Sequence, residues 1–139
     1  MDKNKLNRLI AKVEKPARYM GGELNMRIKA EAEFRFALCF PDTYEIGMSH
    51  LGSRIIYNIL NKRADTYCER VYAPWVDMEE QLRENNEPLF SLETRSPLRE
   101  FNVIGFSLLY EMCYTNILTV LELSGIPFLA SERGEDMPL

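Results

Sequence analysis

One histidine and three cysteines in 139 residues leave little from which to build a metal centre. Cys39, Cys68 and Cys113 are widely spaced, with no CxxC and no CxxxCxxC, so no local segment assembles a structural zinc site or holds an iron–sulfur cluster. An odd number of cysteines at such spacing suits reduced core thiols better than a disulfide framework, and this points to the cytoplasm. No apolar run approaches the roughly 18 residues that cross a bilayer, and the opening MDKNKLNRLIAKVEK is too polar for a secretory leader, so no membrane role is expected. Lysine and arginine number 17 against 21 aspartates and glutamates, and without a basic stripe the net charge of −4 argues against direct nucleic-acid binding. The chain has no GxGxxG, and Ser53-Arg54 follow Gly52 where a P-loop needs Lys and Ser or Thr. Dinucleotide and nucleotide triphosphate sites are therefore not expected.

What is present is the composition of a folded domain, with 46% hydrophobic and 27% charged residues. The length suits one core burying roughly two thirds of the unfolded surface. Residues 1–30 read as an N-terminal arm. Leu6, Leu9, Ile10 and Val13 share one helical face and Pro16 ends the pattern, which predicts a helix over about residues 3–14 followed by an irregular loop. Residues 31–139 read as an α/β domain. Phe34, Phe36, Leu38 and Phe40 alternate as in a strand before the Pro41-Asp42 turn, and a helix over about residues 50–62 follows, with Ser49 as its N-cap. Further strands are expected at Tyr67–Ala73, Leu89–Glu93, Val103–Leu108 and Ile126–Ala130. The spacing predicts helices from Pro74 to Asn85 and around Ile117–Leu121, the latter stopped by Gly125. Alternation of strands and helices implies a Rossmann-like, flavodoxin-like fold: a largely parallel sheet with helices on both faces, preceded by the helical arm.

Such sheets bind ligands beyond the carboxyl ends of their strands, where strand order reverses, so the loops after Phe40 and Phe106 are the ones to inspect. The first reads Pro41-Asp42-Thr43-Tyr44-Glu45-Ile46-Gly47-Met48-Ser49-His50. Asp42 either caps this turn or faces a ligand, and Tyr44 either packs as a half-buried aromatic or lines a ligand. His50 is a helix-capping or surface residue, or a displaced metal ligand. In the second loop, Gly105 and Ser107 either allow close packing and end the strand or receive part of a ligand. Tyr110, Met112, Cys113 and Tyr114 would suit a flat macrocycle or a core equally. Arg70 and Arg99 read as solvated.

Asp42-x-Tyr44-x-x-Gly47 resembles the D-x-H-x-x-G signature of cobalamin-binding domains, with tyrosine in place of the cobalt-binding histidine. Ser107-Leu108-Leu109 is similar to the S-x-L element that meets the cofactor's dimethylbenzimidazole tail in that family. More widely, Glu14–Tyr19 with Gly21-Gly22-Glu23, Phe40–Gly52, Cys68–Trp75, Leu89–Thr94, Pro97–Phe101 and Ile104–Leu108 resemble the N-terminal region of a group of radical SAM proteins of unassigned activity. The resemblance implies a cobalamin-binding-like module that holds the cofactor base-off and without axial histidine. Its cofactor-binding residues would be Asp42, Tyr44, Gly47, Ser49, His50, Gly105, Ser107 and Leu108, with no catalytic and no metal-ligating residue. It also implies a radical SAM barrel as partner, carrying the [4Fe–4S] cluster and S-adenosylmethionine that this chain has no motif to hold. The module would be non-catalytic alone and truncated near the strand that leads to the family's Gly-Gly pair. The alternative is a degenerate α/β scaffold that binds no cofactor and docks on the barrel. A stand-alone hydrolase or flavodoxin-type carrier has no nucleophile constellation or phosphate loop to support it.

Overall fold

The computed structural model describes residues 3–139; the first two residues of the arm lie outside the described residues. Three strands form one parallel sheet in the order β2-β1-β3, with β1 spanning Phe34–Phe40, β2 Thr66–Tyr72 and β3 Val103–Phe106. Phe36 pairs with Cys68 on one side and Val103 on the other, and Cys39 pairs with Val71 and Phe106. The chain leaves β1 towards β2 and then crosses β1 to reach β3, so the loops after β1 and β3 start from adjacent strand ends. This is the α/β, Rossmann-like arrangement expected from the alternating pattern, and its reversal of strand order lies where a ligand crevice forms in such sheets.

Period-two alternation assigns the two sheet faces. Leu38 and Cys68 join Tyr57 of helix α3, Leu51–Lys62, in the smaller core cluster, with Phe36 and Leu60 packed against it. Ala37, Cys39 and Val71 enter the main core on the other face, with α4, Val76–Asn85, and α5, Tyr114–Leu123. The arm helix α1, Lys3–Ile10, is shorter than expected and lies against α4. Leu6, Leu9, Ile10 and Val13 are all buried there, so the apolar face read from the sequence has found its support. Helix α4 carries Asp77 and Glu79 in its first turn and ends at Asn86 in the left-handed conformation, at φ 51°. Gly125, at φ +63°, ends α5 as its position foretold.

Two expected strands do not form. Leu89–Glu93 contributes one antiparallel bridge, Phe90 to Pro97, and its backbone N–H groups are divided among three partners: Leu89 N donates to Leu123 O at 3.0 Å, Ser91 N to Ser96 O at 3.0 Å and Leu92 N to Arg70 O at 2.8 Å. Thr94 Oγ1 donates to the buried Glu69 carboxylate at 2.6 Å, and Arg95 turns the chain back at φ 59°. Ile126–Ala130 is irregular and then forms a 3-10 turn over Ala130–Glu132. Ile126 N is committed to closing α5 through Leu121 O at 2.9 Å, and Pro127 has no N–H to give a ladder. Leu139 lies on the outer edge of β3 instead: its N–H donates to Asn102 O at 3.0 Å and its carbonyl accepts from Ile104 N at 2.9 Å.

Candidate functional site

The loops after β1, β2 and β3 meet at one end of the sheet. Ser107 N donates to Cys39 O at 2.9 Å, Ala73 N to Asp42 O at 3.0 Å, and the Asn116 side-chain amide to Pro41 O at 2.9 Å. Asp42 sits between them, accepting from Thr43 N at 2.7 Å through Oδ1 and from the Tyr110 hydroxyl through Oδ2. Asp42 thus caps its own turn through one carboxylate oxygen and holds the loop that follows β3 through the other.

Helix α2, Tyr44–Ser49, carries the next candidates. The Tyr44 hydroxyl donates to Glu23 Oε1 at 3.1 Å, and its ring packs edge-on against Tyr72 with centroids 5.6 Å apart. Burial and the neighbouring Glu23 carboxylate hold the Tyr44 phenol above its ordinary value, which opposes the phenolate a metal would need. Gly47 is buried, and a methyl group there would lie 2.3 Å from a Tyr72 ring carbon and 3.2 Å from Phe40 Cβ. Ser49 is exposed, its hydroxyl donating to Glu45 O and Ile46 O at 3.0 and 2.9 Å. The expected cap of α3 is therefore displaced by one residue. His50 Nδ1 accepts from Ser53 N at 3.1 Å, and its ring packs at 5.2 Å from Phe40. Ser49 has already turned back onto α2, which leaves the following side chain to cap α3.

On β3, a methyl group at Gly105 would lie 2.5 Å from the Phe36 ring tip, so this glycine lets neighbouring strands pack. Ser107 is half-buried at the strand end, and Leu108 is exposed beside Leu109, Tyr110, Met112 and Tyr114. The structure thus joins Asp42 to the Ser107–Tyr110 loop. Tyr44 is tied to the arm, and Gly47 and His50 are held by aromatic packing of the protein itself.

These contacts decide how well a corrin fits the residues as they stand. Neither glycine is an open cradle, and no buried polar side-chain atom of these candidates lacks a partner. The His50 nitrogen that faces Ser53 is taken, and both Asp42 oxygens are engaged. A small cavity of about 20 Å³ lined by Arg18, Tyr19, Arg70, Tyr72, Met78 and Phe90 has room for one water and touches none of the predicted residues. A corrin does not fit this arrangement without rearrangement of the Asp42–Tyr110 contact.

Arg70 corrects the sequence reading most sharply, because it is 4% exposed. Its Nε donates to Glu93 Oε1 at 2.6 Å, its backbone N–H to Glu93 Oε2 at 2.6 Å, and its guanidinium lies 4.6 Å over the Tyr57 ring. Nη1 reaches Asn25 Oδ1 at 3.3 Å and Nη2 reaches Glu23 Oε2 at 3.4 Å. The cluster therefore ties arm, α2 and β2 together through Glu23, the acceptor of Tyr44. Burial pushes the Glu93 carboxyl up to about 7 against the downward pull of Arg70. The available signal was the run Tyr67–Val71, since a strand covered on both faces has nowhere to expose a mid-strand cation.

No curated protein and no solved structure matches the chain. A family model described as "Radical SAM proteins, N-terminal" matches residues 52–139, more than half of the length. The match begins just beyond His50 and takes in Gly105, Ser107 and Leu108, together with β2, β3, α4 and α5. With this match across most of an α/β fold, the chain belongs to the family of radical SAM protein N-terminal regions.

Proposed function

We propose that the chain is an interaction module of a radical SAM protein, docking on the barrel through the crest at the carboxyl ends of β1 and β3, and non-catalytic alone. The observation that carries this is the apolar surface there. Leu108, Leu109, Tyr110, Met112 and Tyr114 are 41–81% exposed within the one loop-to-helix stretch 108–114, in which Cys113 alone is buried. Exposed apolar side chains gathered in one short stretch are a mark of an interaction surface, and this stretch follows β3 at the end of the sheet where α/β folds engage ligands. The cluster and S-adenosylmethionine belong to the barrel in this reading. Hydrogen exchange tests it: adding a radical SAM barrel should slow amide exchange across residues 108–114, and Met112→Glu should reverse the protection. Unchanged exchange sinks the reading.

A second reading is favoured by one observation, the closeness of Asp42 to the loop that begins at Ser107. It holds that the crest binds cobalamin base-off and without axial histidine once the Tyr110 hydroxyl leaves Asp42. Titration with hydroxocobalamin, followed in the visible spectrum, should then show a shift that a bulky residue at Ser107 removes. Tyr44→His should add the signature of histidine ligation. No spectral change at high cofactor concentration eliminates this reading.

A further inference from the structure

Helix α3 has apolar residues on the side turned away from the sheet. Its inner side is Ser53, Tyr57, Leu60 and Asn61, all buried or half-buried. At 100° per residue, Leu51, Ile55 and Ile59 point to the opposite side, and they are 65, 49 and 58% exposed. Ile56 flanks them at 42%. A helix apolar on both sides is ordinarily covered on both sides. The positions i, i+4 and i+8 also form one continuous ridge, the kind that enters the groove of a second helix crossing at about −50°.

Charge identifies what covers it. From Ile46 to Ala64 the chain contains Arg54, Lys62 and Arg63 and no aspartate or glutamate, although the whole chain is acidic. Arg63 is paired with Asp65 at 2.7 Å, whereas Arg54 and Lys62 have no ion-pair partner among the described residues. A second copy would bring these cations against their own kind, a juxtaposition that disfavours association. We infer that the outer face of α3 is a docking site for an amphipathic helix of a different sequence, with an apolar i, i+4, i+8 row rimmed by carboxylates. This surface lies on the side of the sheet opposite α1, α4 and α5, and the inference stands independently of the crest.

The probe is a fluorescently labelled, helix-forming peptide with leucine at i, i+4 and i+8 and glutamates on either side, titrated with the chain and followed by anisotropy. Saturable binding is expected, at least ~10-fold weaker for Ile55→Asp and Ile59→Thr. It should weaken several-fold between about 50 and about 500 mM salt. Circular dichroism of both variants should match the parent, since both sites face solvent. A version of the peptide with lysine replacing glutamate should bind more weakly. Absence of saturable binding, equal affinity for the lysine peptide, or binding indifferent to both substitutions overturns the inference. So does concentration-dependent dimerisation abolished by Ile55→Asp, which makes the occupant a second copy. Co-sedimentation with anionic lipid vesicles that depends on Ile55 makes it a membrane and overturns it equally.

Discussion

Replacing Gly47 by alanine places a methyl group where the ring of Tyr72 already stands, 2.3 and 2.5 Å from two ring carbons. Overpacking of this kind costs about 1–3 kcal/mol. Alanine also favours α2, recovering about 0.5–1 kcal/mol of helix propensity, so the net loss should be about 1–2 kcal/mol. For a domain of this size that lowers Tm by about 3–5 °C per kcal/mol. Tyr72→Leu removes the colliding ring, and in that background Gly47→Ala should become neutral or stabilising by about 0.5–1 kcal/mol. Thermal and urea unfolding of the four proteins, followed by circular dichroism, gives the coupling directly. If Gly47→Ala costs the same in both backgrounds, the glycine is there for some reason other than Tyr72. Gly47 would then not be fixed by packing of the protein itself, and the loop would be free to cradle a corrin.

Three further outcomes are expected. Glu69 is fully buried and accepts from Ser91 Oγ at 2.7 Å, Thr94 N at 3.1 Å and Arg35 Nη2 at 2.5 Å. Glu69→Ala should therefore cost about 3–5 kcal/mol and Glu69→Gln much less, and a loss below about 1 kcal/mol for alanine would refute the network. Glu93, pushed up to about 7, binds its proton more tightly in the folded chain than in the unfolded one, whose ordinary value is 4.5. Stability should fall by up to about 3 kcal/mol as pH rises from about 4.5 to about 7, and Glu93→Gln should flatten that slope. A rise over this range would mean that the pull of Arg70 outweighs burial. Finally, burial pushes the Cys39 thiol far above its ordinary value and the Cys68 thiol up to about 12, and Cys113 is 1% exposed. No cysteine should react with a disulfide reagent until the chain unfolds, and one fast thiol in native buffer would contradict the core assignment.

The elements that were legible in the sequence are those whose pattern is local. The alternation of Phe34, Phe36, Leu38 and Phe40, the stripe of α3 and the stop at Gly125 each depend on a few adjacent residues, and each appears where expected. Leu89–Glu93 and Ile126–Ala130 have strand-like composition, but a strand also needs a free edge and free N–H groups. One segment divides them among Leu123, Arg70 and its own turn at Ser96, and the other spends them on closing α5. The location of the candidate site was legible for a related reason. Once a parallel sheet with reversing order is inferred, the loops after Phe40 and Phe106 must share one end, and the link between Asp42 and Tyr110 joins them.

What those residues do there was not legible. Asp42, Tyr44, Gly47 and His50 admit either a ligand or a neighbour, because a carboxylate, phenol or imidazole is satisfied by any suitable donor or acceptor. Their partners Tyr110, Glu23, Tyr72 and Ser53 lie from three to 68 positions away. Arg70 looked like a surface cation because its charge is read locally, whereas its burial rests on Glu93, Tyr57 and the arm arriving from distant segments. Amino-acid order by itself determined the three strands that form and the helices between them, since periodicity and turn chemistry act over a few residues. Only tertiary structure decided which polar groups were already satisfied and which apolar faces stayed open, because both depend on long-range contacts that no local pattern encodes.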